Sequence, residues 1–314
     1  MKHFLLAALL PTAAAAQSWD MPTPYPDATF HTQNIVQFAD EVRAATDGAL
    51  DITVHSAGSL FPHEEIKGAV RSGQVPVGEF LLSRLANEDA AYGLDSQPFL
   101  ATSYDAARAL WDAQEPVIAE LMAAEGLVPL FSVPWPPQGL YTNGEVSSVD
   151  DLAGLRFRAY NAQLEEFAAL AGAAPVQVEA PGIPQAFATG QVEAMMTSPS
   201  TGVNSTAWDF VTHYTPVDAW IPKNVVVVSQ RALDRLDEGA RQAVLDAAEA
   251  AEARGWEMSA AEAAAQTEVL RENGMTVVEP SPELVEGLKE IGARMEASMR
   301  ETASDAATSI LDAM

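Results

Sequence analysis

An α/β fold is expected from three patterns in this chain of 314 residues. Residues 155–178 read as strand, helix, strand. Residues 27–133 alternate helical and strand periodicity, and residues 236–273 form a long alanine-rich run without proline. Strands alternating with helices are the mark of a sheet covered by helices.

The elements follow in order. Residues 1–16 combine Lys2, a short apolar core Phe4–Leu10 and a small-residue A-x-A site ending at Ala16, the make-up of a secretory signal cut before Gln17. Its apolar core is too short to span a bilayer. In Asp27–Asp47 the residues Ile35, Val36, Phe38, Ala39 and Val42 fall on one helical face, and Gly48 closes the helix before a strand at Leu50–His55. Ser59–Ser72 reads as loop and helix stopped by Gly73, and Val75–Leu82 as a strand. Asp95–Ser103 leads into a helix Tyr104–Gly126, with Leu127–Val133 the next strand. Pro134–Gly139 (PWPPQG) is stiff, aromatic and unable to be helical, as suits a crossover between domains.

In Leu155–Tyr160 apolar Leu155, Phe157 and Ala159 alternate with Arg156, Arg158 and Tyr160, the period of a strand with one covered face. Asn161 is a favourable N-cap for Ala162–Ala171, Gly172 a stop, and Pro175–Val178 a second strand. Arg158 therefore sits at the carboxyl end of a strand beside a helix N-terminus, where open α/β sheets bind ligands and where an anion is favoured. Trp208–Trp220 is loop-like, and Asn224–Ser229 is a valine-rich buried strand. Asp237 can cap and Gly274 can stop a helix over Leu236–Asn273. As one helix it is roughly 50 Å long at about 1.5 Å per residue and crosses both domains; Gly255 leaves two helices as the alternative.

Composition narrows function. The net charge of −27 with only four lysines disfavours nucleic acid and anionic lipid as partners. An anionic ligand would need locally placed arginines. With no cysteine, disulfides, thiolate metal sites and a lipid-modified cysteine are excluded.

The segment D-L-A-G-L-R-F-R (Asp151–Arg158), an apolar helix, a G-A-A-P-V step and A-F-A-T-G-Q-V-E (Ala186–Glu193) resemble the TRAP-transporter solute-binding proteins of the C4-dicarboxylate-binding (DctP) type. FADEVRAATDGALDITVHSAGSL (Phe38–Leu60) and DSQPFL (Asp95–Leu100) are similar to further segments of that family. The resemblance covers nearly all of the chain after residue 16. It implies a type II-like two-lobed periplasmic binding protein fold: two mixed sheets with flanking helices, and a long helix spanning both lobes. The expected lobes are 17–138 with 225–272, and 139–224 with 273–314. It also implies an organic-acid ligand, small and large membrane subunits as partners, a periplasmic location, and no cofactor, metal or enzymatic activity.

By the same resemblance Arg158 forms the salt bridge to the ligand carboxylate, a role suited to a guanidinium's two parallel donors. Arg156 reads as structural. Thr197 takes the place of an asparagine that contacts ligand in other members, with Ser198 beside it. A second arginine carried by some members falls on Gly139, which puts C4-dicarboxylates and sialic acid in doubt. Arg84 lies where other members bring a ligand-facing side chain. Aromatic residues gather where the family has its cleft: Trp19, Tyr25, Trp135, Tyr160, Trp208 and Trp220, of which Tyr25, Trp135, Tyr160 and Trp220 are the candidates for ligand contact.

One arginine with several aromatics favours a monocarboxylate with an apolar or aromatic body. A compact polar acid or zwitterion, such as a sugar acid, C4-dicarboxylate or ectoine-like solute, is the alternative. A periplasmic hydrolase is the alternative of another class, but the five histidines do not cluster and no phosphate-binding or nucleophile-elbow motif occurs.

Overall fold

A computed structural model describes residues 17–314 of the protein; the expected signal segment lies outside the described residues. The elements are β1 (Gln17–Pro22), α1 (Phe30–Ala45), β2 (Leu50–His55), α2 (Ile66–Ser72), β3 (Val77–Leu81), α3 (Tyr104–Ala123) and β4 (Leu127–Pro134). After the proline-rich segment come β5 (Gly139–Thr142), β6 (Arg156–Ala159), α4 (Ala162–Leu170), β7 (Ala174–Gln177), α5 (Ile183–Ala188), β8 (Ala194–Thr197), α6 (Pro199–Asn204) and β9 (His213–Thr215). The chain ends with β10 (Lys223–Ser229), α7 (Gln230–Leu233), α8 (Glu238–Glu272), β11 (Thr276–Val277), α9 (Pro282–Thr302) and α10 (Asp305–Ala313).

Two lobes follow from the strand pairing. In the first, β10 lies antiparallel between β3 and β4, and the parallel pair β1–β2 packs beside β3. β10 is central, which is why Val225–Val228 are apolar on both faces and buried. In the second, the order is β11-β9-β5-β8-β6-β7. There β7, β6 and β8 run parallel, while β5 runs antiparallel to β8 and β9. The architecture is the two-lobed one with two mixed sheets.

Up to residue 272, three connections cross between the lobes. Residues 135–138 and 219–222 run side by side, joined by Trp135 N–H to Pro222 O, Gln138 N–H to Trp220 O and Ala219 N–H to Gln138 O at 2.8–3.2 Å. The third is α8, continuous over 35 residues. Asp237 caps it by accepting from Ala240 N–H at 2.8 Å, and Gly274 follows its end at φ +94°. It packs on α1 and β4 of the first lobe and on α6 and β11 of the second. Gly255 does not interrupt it. A side chain there would run into Val133 Cγ1 at 2.8 Å and Asn34 Nδ2 at 2.9 Å, so glycine lets the helix lie close to β4 and α1.

Several details differ from expectation. Val36 is 43% exposed, because α1 turns only Ile35, Phe38, Ala39 and Val42 of the named five to the core. The 208–220 stretch is not all loop: it contributes β9, held by β5 and β11. β10 opens at Lys223, one residue early. The tail does not stay with the second lobe, since α10 packs on α3 and the turn at Ala90–Ser96. Among the described residues, no helix is long and apolar enough to cross a membrane.

Candidate functional site

The carboxyl ends of β6 and β8 lie side by side, with Phe157 paired to Ala194 and Arg158 to Met195. This brings Arg158 and Thr197 to one edge of the second sheet, where parallel strands open a crevice. Opposite them stand the ends of first-lobe strands: Tyr25 after β1, Leu81 closing β3, Trp135 after β4 and Pro222 before β10. The cavity between is narrow, with a volume of about 40 Å³. Its lining includes Tyr25, Trp135, Arg158, Tyr160, Thr197 and Ser198, six of the eight side chains proposed from sequence.

Arg158 is 3% exposed. Its Nε donates to Val178 O at 2.8 Å, and its guanidinium carbon stands 4.9 Å from the centre of the Tyr160 ring. Among the described residues its terminal amino groups have no hydrogen-bond partner and it joins no ion pair. Burial, only partly offset by neighbouring Tyr160 and Glu179, lowers its pKa from the usual arginine value, but a guanidinium remains charged. A buried, fixed cation with a free two-pronged edge has the geometry to accept a carboxylate. Arg156 instead bonds Gly190 O and pairs with Glu193 at the exposed edge, a structural role.

Thr197 is buried and among the described residues its hydroxyl has no partner, whereas Ser198 is occupied as the N-cap of α6, accepting from Thr201 N–H at 3.1 Å. Arg84 and Trp220 do not line the cavity. Arg84 donates to Tyr160 O at 2.9 Å and to Glu179 at 2.7 Å, so its charge is already matched. Trp220 stands behind the wall and donates Nε1–H to the Tyr160 hydroxyl at 3.0 Å. Trp19 lies in the core, and Trp208 packs with a smaller cluster around Tyr141 and Tyr214. At Gly139, the place of the missing second arginine, a Cβ would meet the Tyr214 hydroxyl at 2.6 Å and ring carbon Cζ at 2.7 Å. The space of that side chain is filled by tyrosine.

Of the lining residues that sequence does not single out, two are titratable. Glu179 pairs across the cleft with His63, at 3.0 Å, as well as with Arg84. His63 Nε2 accepts from Leu81 N–H, so Nδ1 carries the proton given to Glu179. Burial raises the Glu179 pKa, but the His63 hydrogen bond and the nearby Arg84 and Arg158 outweigh it and bring it to about 2. His63 shifts down, chiefly by burial. Neither stood out because the pair is 116 positions apart, HEEIK resembles no binding motif, and acidic residues are common throughout.

The sequence matches the profile of the family described as "Bacterial extracellular solute-binding protein, family 7" over residues 23–303. Among solved structures, the Bordetella pertussis extracytoplasmic solute receptor DctP7, described as binding pyroglutamic acid, is 46% identical. It superposes with a TM-score of 0.94 over 95% of this chain and 99% of its own. A marine metagenome TRAP solute-binding protein, described as specific for pyroglutamate, is 41% identical, with a TM-score of 0.92 over 95% and 98% of the two chains. A solute-binding protein of Chromohalobacter salexigens is 24% identical over 252 residues, 79% of this chain and 75% of its own. These relatives are receptors rather than enzymes, and the chain belongs with them to family 7 of the bacterial extracellular solute-binding proteins, the DctP-type binding subunits of TRAP transporters.

Proposed function

We propose that this receptor captures pyroglutamate, the lactam of glutamate, and hands it to TRAP membrane subunits for uptake. The observation that carries the reading is the charge balance of the cavity. Glu179 is matched by Arg84, His63 is neutral, and Arg158 is left as one cation in excess. One cation accepts one carboxylate; a second carboxylate would meet Glu179. The space suits a compact acid better than a large aromatic one, because the surrounding rings are packed on one another: Trp135 lies 5.0 Å from Tyr25 and 5.6 Å from Phe30. Relatives at 40–46% identity described as binding pyroglutamate support the same choice.

In this proposal Arg158 forks the carboxylate, Thr197 donates to the lactam carbonyl, and Tyr25, Trp135 and Tyr160 shape the ring pocket. Ser198 supports Thr197 through the α6 cap. Lobe I comprises 17–138 with 225–272 and lobe II 139–224, bridged by α8, with the tail 273–314 returning over both. Export uses a signal removed before Gln17, which places the receptor in the periplasm. Isothermal titration of the chain from Gln17 tests the ligand against proline, glutamate, succinate, glucuronate and benzoate. Tight binding of pyroglutamate alone is the expected result. Saturable binding of succinate or glucuronate with none of pyroglutamate would refute it.

A further inference from the structure

Behind the aromatic wall lies a buried polar relay. Glu79, 1% exposed, accepts from Thr23 Oγ1 at 2.6 Å and from Asn224 Nδ2 at 3.0 Å, with His31 Nδ1 at 3.4 Å. An ionised carboxylate only accepts, so the Asn224 amide must turn its NH2 to Glu79 and its carbonyl the other way. That carbonyl accepts both the Tyr25 hydroxyl, at 3.1 Å, and the Trp135 indole N–H, at 2.9 Å. The contacts of Glu79 with His31, Thr23 and Asn224 outweigh burial and lower its pKa, so it is the ionised form that faces Asn224.

Other donors around the cavity are committed in the same way. Tyr160 O–H donates to Gln138 Oε1 at 3.2 Å, and His63 Nδ1–H to Glu179. Among the described residues, the lining side-chain donors left over are the Arg158 amino groups, the hydroxyls of Thr197 and Thr201, and one N–H of Gln138, whose other N–H goes to Pro136 O. The cavity is therefore polarised, with donors near Arg158 and acceptor lone pairs on Tyr25, Gln138 and Glu179.

We propose that Asn224 and Glu79, neither of which lines the cavity, act as positioning residues for ligand choice: they commit the Tyr25 proton inward, so that Tyr25 meets a ligand with lone pairs and selects an N–H edge. This rests on the pyroglutamate reading. The lactam N–H answers an acceptor wall. The matching lactone, 5-oxotetrahydrofuran-2-carboxylate, places a ring oxygen there, and lone pairs face lone pairs.

The test is isothermal titration of both compounds against the chain from Gln17. The parent should prefer lactam over lactone by about ten- to a hundredfold, the range for one buried hydrogen bond made or left unmade. Tyr25→Phe removes the acceptor and should bring the ratio within about threefold. Asn224→Leu frees the Tyr25 proton and should lower it likewise. The exchange Glu79→Gln with Asn224→Asp keeps an acceptor at 224 and a donor at 79, and should keep the preference; it carries the test with Tyr25→Phe if Asn224→Leu does not fold. A purely structural role would weaken both ligands together and leave their ratio unchanged. Failure of the parent to bind pyroglutamate removes the ligand reading. Binding of pyroglutamate with a parental ratio within about threefold, or a preference that survives Tyr25→Phe, overturns this inference alone.

Discussion

Replacing Arg158 by glutamine removes one charge and two free donor groups while leaving the strand and helix around it in place. Hydrogen bonds to charged groups contribute about 1.5–3 kcal/mol each, so loss of a forked pair costs about 3–6 kcal/mol. That corresponds to roughly 10²- to 10⁴-fold in Kd. Arg158→Lys keeps the charge but not the fork, nor the Nε bond to Val178 O that holds the guanidinium plane, and should fall between. Thermal shift reads the same quantity. At a pyroglutamate concentration 100 times the parental Kd, the parent gains about 2.7 kcal/mol, whereas a variant bound 100-fold more weakly gains only about 0.4 kcal/mol. Titration calorimetry and thermal shift should agree. If Arg158→Gln binds pyroglutamate within about tenfold of the parent, less than one such bond supplies, Arg158 is not the carboxylate anchor.

Other consequences concern stability. Burial, ahead of carboxylate contacts, lowers the pKa of His31 and His63, so the unfolded chain takes up protons below about pH 6.5 that the native one does not. Stability should therefore fall as pH drops through that value, and the fall should be shallower in His63→Gln; equal slopes in urea titrations at pH 8 to 5.5 would contradict this. Comparing variant with parent cancels Asp95, whose burial lifts its pKa to about 6 and whose effect has the opposite sign. Gly255→Ala, which in an exposed helix would stabilise by about 1 kcal/mol, should instead cost about 1–3 kcal/mol by driving a methyl into Val133 and Asn34. A higher denaturant midpoint for that variant would show that the helix has room there. Gly139→Arg should not confer succinate binding, since Tyr214 fills the position; a micromolar Kd for succinate would refute that reason.

The sequence disclosed the fold where local chemistry and tertiary context agree. Asn161, Asp237, Gly73 and Gly274 bound their helices as their side chains or positive φ require. Arg158 was legible because strand period and a following N-cap place it at a strand end. Arg84 and Trp220 drew attention by residue type, but their roles depend on Glu179 and Tyr160, partners 95 and 60 positions away. The Glu79–Asn224 relay spans 145 positions and carries no periodic signal. Such pairings arise only when strands distant in the chain, or the two lobes, are brought together.

The unbroken helix α8 carries a mechanical consequence. A rod about 52 Å long, at about 1.5 Å per residue, clamped to both lobes, does not pivot like a loose joint; it flexes. Its buried face is mostly alanine, at Ala240, Ala243, Ala247, Ala248 and Ala251, with Val244 and Trp256 as the larger anchors. A rod so held should limit the travel of the lobes about the cleft. Spin labels at exposed Glu238 and Glu272 should keep nearly constant separation with and without solute, while labels across the cleft mouth move.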